Sequence, residues 1–279
     1  MASIHLPDRA FITLAGEDAE TFLQNLVTTN IEGLPAGEAW PGALLTPQGK
    51  IMFDFLISRT PDGFLIETHA DDQSALAKRL MLYKLRAKVT IATPEHDGAT
   101  LFYGDTTAPE GAVPDRRFAL ADMPLMRLPG RYNNAAQDPE TYTKLRIEAG
   151  VAELHADYAA QDVFPHDILY DGNGGLNFRK GCYVGQEVVS RMHHRGMARR
   201  RLVQLAAAEP FTTDDGAVQA GGKTAGTICS VSDGKAMAIV RVDRIAAASG
   251  DVSVNGMPVS VTPYAWSGVT LEASGTETD

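Results

Sequence analysis

The sequence predicts an α+β protein: two successive passages of antiparallel strands and helices, then a small β-barrel. Three observations carry that reading. In the first hundred residues, strands alternating on a two-residue period are broken by turns at Pro47 to Gly49 and at Pro61-Asp62-Gly63. A second run of strands ends in a helix opened by Asp138-Pro139-Glu140, with Asp as cap and Pro in the first turn. From Leu202 onward, short apolar strands alternate with Gly and Asp turns, the spacing of a small barrel.

Taken in order, IHLPDRAFITLAGEDAETFLQNLVTTNIEGL reads as a short strand and a helix. Glu17 and Asp18 sit where a helix start favours acid, and Phe22, Leu23 and Leu26 follow at helical spacing. GALLTPQGKIMFDFLISRTPDGFLIETHA reads as three strands. In the middle one Ile51, Phe53, Phe55 and Ile57 share a face, and Met52, Asp54, Leu56 and Ser58 share the other. Asp54 is thus a carboxylate on a buried face, where desolvation raises its pKa. DDQSALAKRLMLYKLRAKVTI is an amphipathic helix with Leu76, Leu80 and Tyr83 inward, running into a strand at Val89. Further strands are expected near Leu101 to Tyr103, Phe118 to Ala121 and Met126 to Leu128, before a helix that Gly150 closes as a C-cap. HHRGMARRR is basic and loop-like, and the tail GVTLEASGTETD is acidic and polar. No repeat recurs at a fixed period, so any duplication of the two passages is structural.

Composition limits what the chain can do. Its 279 residues, 44% hydrophobic and 22% charged, suffice for about two domains with a sizeable core. A net charge of −10 repels nucleic acid and anionic membrane as a whole, so neither a membrane partner nor direct nucleic-acid binding is expected. Two basic clusters stand against that background: Lys78, Arg79, Lys84, Arg86 and Lys88, and Arg191, Arg195, Arg199, Arg200 and Arg201. They read first as solvated faces and secondly as receivers of an anion. Cys182 and Cys229 are the only cysteines, which argues against a zinc site, a disulfide framework or a self-contained iron–sulfur cluster. The seven histidines show no ligand spacing, so no metal centre is expected. The N-terminus lacks a signal peptide's basic start and apolar core, and no apolar run approaches a membrane span; a cytoplasmic location is expected.

The most informative stretch is RKGCYVGQEVVSR, residues 179 to 191. Val184, Val188 and Met192 at i, i+4 and i+8 predict a helix whose first turn lies at or just after Cys182. A helix start and a nearby Lys180 both favour a thiolate. Gly181 and Gly185 let a ligand or another backbone approach closely. The alternative is a small hydrophobe capping a packed helix, the commoner fate of a free cysteine.

KGCYVGQEVV resembles the motif of the folate-binding YgfZ family, relatives of the aminomethyltransferase (T-protein) of glycine cleavage. The resemblance extends to FLQNLVTTNI, LLTPQGKIMFDFLI, LRIEAGV, AGTICSV and AIVRVDR, nearly the whole chain. It implies two intertwined antiparallel α+β halves, about 1–95 and 96–197, around a folate-binding hole, with a barrel at 198–267 and a polar tail at 268–279. The implied cofactor is tetrahydrofolate. Glu148 would hold the pterin with Arg146, Gly181 and Tyr183 lining the site, Asp54 would face the folate amine, and Cys182 with Lys180 would form a reactive or ligating spot. The implied function is assembly or repair of iron–sulfur enzymes, with tRNA-thiolating enzymes among the clients. The transferase pattern carries two consecutive aspartates where this chain has Phe53-Asp54. A folate-dependent aminomethyl or one-carbon transferase remains the alternative.

Overall fold

The computed structural model describes residues 2–104, 108–196, 198–211 and 216–271; the polar tail beyond 271 lies outside them. The first sheet has the order β3-β4-β5-β2-β6, built from β2 (Arg9–Ala15), β3 (Trp40–Leu45), β4 (Ile51–Thr60), β5 (Gly63–His69) and β6 (Thr90–Ala92). Helices α1 (Ala19–Gln24) and α2 (Ala70–Lys84) cover one face, packing Leu23, Leu76 and Leu80 on Phe53, Phe55, Ile57 and Ile66. The second sheet has the order β1-β7-β9-β8, from β1 (Ala2–Leu6), β7 (Ala99–Tyr103), β8 (Val113–Pro114) and β9 (Leu125–Pro129). The N-terminus supplies two strands where the sequence suggested one. Only Pro7-Asp8 joins β1 to β2, yet they belong to different sheets, and this crossing intertwines the halves.

Two local readings are corrected. Phe118 to Ala121 is not a strand: Asp115 caps a short helix α3 (Arg116–Ala119) by accepting from Arg117 N, and Phe118 is buried from that helix. Ile51 does not share a core with Phe53, because a β-bulge at Leu44/Leu45 shifts the register and turns it toward Ala43 and Leu45 on the other side.

Helix α4 (Pro139–Ala149) follows the caps read from sequence. Asp138 Oδ1 accepts from Thr141 N at 3.0 Å, and Gly150 closes the helix at φ +75°. Gly150 is also a close approach, since a Cβ there would stand 2.7 Å from the Tyr264 ring. The barrel sheet runs β15-β14-β11-β12-β13-β10-β16, from β10 (Arg200–Ala206), β11 (Ala217–Ala220), β12 (Lys223–Ser232), β13 (Lys235–Arg241), β14 (Val252–Val254), β15 (Met257–Pro258) and β16 (Ser260–Thr262). Its end strands are separated in sequence by Val259 alone, so the sheet curls nearly closed around Val203, Leu205, Val218, Ala238 and Val240.

Between the two sheets lies a buried ionic network that the sequence did not reveal. Glu67 accepts from Arg9 Nε at 2.9 Å and Arg127 Nε at 2.9 Å; Asp115 accepts from Arg117 Nη2 at 2.7 Å and Arg127 Nη1 at 3.3 Å. Glu153 accepts from Arg117 Nη1 at 3.0 Å and the Tyr142 hydroxyl at 2.7 Å. Burial alone would raise the Glu67 carboxyl, but Arg127 and Arg9 outweigh it and hold it down at about 2.

Arg127→Met should therefore lower stability by about 3–5 kcal/mol in urea titration, because Glu67 and Asp115 lose a shared cation they cannot replace with water. A loss below about 1 kcal/mol would mean the network is dispensable.

Candidate functional site

The KGC loop rests on the residues that follow α1. Buried Gln24 shapes that floor, accepting from Ile31 N at 2.7 Å and donating to Asn30 Oδ1 at 2.9 Å. Thr28 Oγ1 donates to Gly175 O at 2.5 Å, and Thr28 O accepts from Asn177 N at 3.0 Å. Asn177 Oδ1 then accepts from Arg179 N and Lys180 N at 2.8 and 3.0 Å, folding the chain into the tight turn that presents the motif.

Lys180 does not reach toward Cys182. It is buried, and its Nζ donates to Val27 O at 2.6 Å and Thr29 O at 2.8 Å, 5.1 Å from the centre of the Tyr183 ring. Burial lowers its pKa to about 7, with Glu32 opposing. Its place in the structure is a clamp between loop and floor. Tyr183 is buried as well, and its hydroxyl has no hydrogen-bond partner among the described residues.

Cys182 is exposed, as is Gly181, where a Cβ would meet nothing nearer than Asn25 Oδ1 at 4.0 Å. The expected helix start is corrected. Helix α5 (Tyr170–Asn173) precedes the loop, and α6 runs Gln186–His194, so Cys182 lies four residues before the first helical one. Gly185 is the reason. At φ +81° it caps α6 in a left-handed conformation, and a Cβ on it would stand 2.6 Å from Thr46 O on the β3–β4 turn. Val189, not Val184, Val188 or Met192, is the buried residue of α6; Glu187 and Arg191 form an i, i+4 pair on its exposed side.

The other candidates lie elsewhere. Glu148, in the last turn of α4, is half-buried with Lys235 Nζ 3.9 Å away. It lines a cavity of about 240 Å³ with Lys144, Ile147, Ser232, Asp233 and Lys235. A larger one of about 610 Å³ shares Lys144, Ser232 and Asp233 and continues along α4 to Glu140 and Phe211. Arg146 points away from both and is structural: it pairs with Asp157, donates to Ser230 Oγ at 2.8 Å and Val151 O at 3.2 Å, and stands 3.9 Å from Glu153. Asp54 is buried on the face assigned from sequence. Its Oδ2 accepts from the Tyr158 hydroxyl at 2.6 Å and Leu154 N at 2.9 Å, and burial still raises its pKa against those bonds. No contact joins Asp54, Glu148 and Cys182 into one centre among the described residues.

Residues 199–269 match the family model described as the CAF17 C-terminal β-barrel domain. An iron–sulfur cluster assembly factor IBA57 homolog, mitochondrial, from Pyricularia oryzae is 30% identical over 229 residues, covering 75% of this chain and 58% of that protein. IBA57 of Mus musculus is 29% identical over 258 residues, covering 81% and 70%. The chain is thus similar to IBA57 proteins along most of its length, and its C-terminal barrel is similar to that of CAF17. It spans under two thirds of the length of the Pyricularia relative. The fold is that of the glycine cleavage system aminomethyltransferase T from Bartonella henselae, with a TM-score of 0.69, 13% identity and coverage of 97% of this chain and 87% of that one. The expected cytoplasmic location is overturned, since these IBA57 relatives are mitochondrial proteins. That expectation rested on an unremarkable N-terminus and the want of an apolar span, which do not tell one aqueous compartment from another.

Lys180 supplies a test of the clamp. Its ammonium titrates near 7 when folded against about 10.4 when unfolded, so between those values the unfolded chain holds more protons and stability rises with pH. Wild type should therefore gain stability over Lys180→Gln as pH climbs from about 7 to about 10. A constant difference between the two proteins across that window would mean the lysine stays fully charged on its carbonyls.

Proposed function

We propose that this chain assists the assembly or repair of iron–sulfur enzymes, with Cys182 as its point of contact with cluster or client. The observation that carries the reading is an exposed thiol on a loop that Lys180 and Asn177 lock to the body of the protein. Two cysteines in the whole chain are too few for the four thiolates that usually hold a cluster. A cluster would be cargo, shared with a partner's ligands. The IBA57 relatives support the role, and the KGC-x-x-GQE run supports a YgfZ-type branch.

A reduced folate is the cofactor we propose. The residues fit its pterin end: Glu148 is a half-open carboxylate lining a cavity, able to accept from ring and amino N–H groups. Lys144 and Lys235 line the same cavity and can donate to the pterin's ring oxygen. The amine end fits less well, because Asp54 Oδ2 is already engaged by Tyr158 and Leu154. When bound, the folate supplies one-carbon carrier chemistry. The chain's own groups bind and orient it, which favours an assisting role over the aminomethyl-transfer alternative.

Alkylation at neutral pH should modify Cys182 well ahead of Cys229, whose thiol burial pushes up. Cys182→Ser should abolish support of iron–sulfur enzyme activity in a deletion strain while leaving the melting temperature unchanged. Full complementation by that variant would remove the thiol from the function.

Glu148→Gln should weaken tetrahydrofolate binding roughly tenfold to a hundredfold in titration, since bonds to a charged acceptor are worth about 1.5–3 kcal/mol. The ligand-free melt should stay level or rise slightly: a carboxylate at a helix C-terminus is disfavoured, and the 3.9 Å contact with half-exposed Lys235 offsets little. Unchanged affinity would place the folate elsewhere.

A further inference from the structure

The outward face of α2 carries a feature that neither the Glu148 cavity nor the KGC loop uses. Its inward stripe is Leu76, Ala77 and Leu80, packed on the first sheet. Lys78, Met81, Leu82 and Leu85, at i, i+3, i+4 and i+7, form a second stripe facing solvent. Met81 is 51% exposed, Leu82 69% and Leu85 89%, and these are the exposed large hydrophobics among the described residues. Leu85 ends the helix at φ +42°, a conformation that costs a non-glycine residue energy, and it projects with almost no packing in return.

Cations surround this apolar point. Lys78, Arg79, Lys84 and Arg86 form no ion pair among the described residues, although the chain carries a net charge of −10. Lys88 is paired with Glu17, and Asp18 caps the Lys88 amide, so the acidic groups nearby are already engaged. The acids of α2 itself, Asp71 and Asp72, lie in its first turn, about 20 Å from its far end. The charge of this one end therefore opposes that of the molecule.

We infer that the C-terminal end of α2 docks on an anionic membrane surface. None of the cavities described above is lined by the residues of this patch, which stand out into solvent. Projecting leucines flanked by lysine and arginine suit a lipid interface, which closes around apolar side chains while the cations stay at headgroup level. A protein partner would instead have to bring a pocket of its own. This docking departs from the expectation of no membrane partner, which rested on net charge alone. No helix of the described residues is long and apolar enough to span a bilayer, so the contact would be peripheral. The acidic remainder of the molecule would hold the rest of the surface away and fix a single orientation.

Vesicle flotation of the full chain tests this, using phosphatidylcholine vesicles with and without phosphatidylglycerol. The chain should float with the anionic vesicles and not with pure phosphatidylcholine, and added salt should release it. Leu82→Ser/Leu85→Ser and Lys84→Gln/Arg86→Gln should each lower the partition coefficient on the order of tenfold, since both apolar insertion and charge are needed. Leu82, Leu85 and Arg86 are exposed, Lys84 is half-buried, and neither cation is ion-paired among the described residues, so the melting temperature should hold; Leu85→Ser alone carries the test if a double variant melts early. Equal recovery on the two vesicle types, or double variants that float like wild type, would overturn the inference. So would a soluble dimer that Leu82→Ser/Leu85→Ser dissociates without any flotation, which would assign the patch to a protein contact.

Discussion

The arrangement depends on one balanced set of buried charges. Arg9, Arg117, Arg127 and Arg146 face Glu67, Asp115, Glu153 and Asp157, four cations against four carboxylates. Each ion out of water costs several kcal/mol, and only complete pairing offsets that cost. The members come from both sheets, from α3 and α4, and through Ser230 from the barrel. No part can move far without leaving a charge alone. Asp54 is a fifth carboxyl at the margin of this set with no ion pair among the described residues; burial accordingly raises its pKa, and the Tyr158 hydroxyl and Leu154 amide supply its bonds.

The same logic explains how α4 carries Glu148. A helix C-terminus leaves carbonyls without intrahelical partners. Here the barrel supplies them: Tyr264 Oη and Gln204 Nε2 donate to Ile147 O at 2.8 and 3.2 Å, and Trp266 Nε1 donates to Ala149 O at 3.1 Å. With those carbonyls satisfied and Gly150 pressed on the Tyr264 ring, the last turn is fixed between barrel and second sheet. Glu148 is left on the one side of that turn that opens to a cavity.

What the sequence made legible was local. Asp138 and Gly150 bound α4 as read, because a cap acts within one turn and needs no distant partner. The hairpin turns and most of the barrel strands are legible for the same reason. Phe118 to Ala121 was misread because four apolar-rich residues fit strand or helix alike, and the Asp115 cap decided it. The ionic network was out of reach: Arg9 and Glu67 are 58 positions apart, Arg127 and Glu67 are 60, and only the folded sheets bring them together. A signal did exist in Glu67 within FLIETH and Arg127 within LMRLP, charges set among apolar strand residues. A buried charge seldom occurs singly, so each called for a partner.

The KGC motif shows how such a misreading arises and what it hides. Lysine, glycine and cysteine in succession suggest one reactive unit, with the ammonium activating the thiol. The side chains divide instead. Lys180 turns inward to two carbonyls, Cys182 turns out to solvent, and the unobstructed Gly181 lies between them. A lysine spent on carbonyls is a poor activator and a good anchor, because a mobile loop would otherwise lose its order to entropy. Gly185 lets the other side of the loop lie close against the β3–β4 turn, where any side chain would collide with Thr46 O. A thiol held between two such fixed points presents one geometry to whatever approaches. Pre-organisation of that kind spares a cluster or client the cost of ordering the loop on contact, which suits a residue that must engage and release.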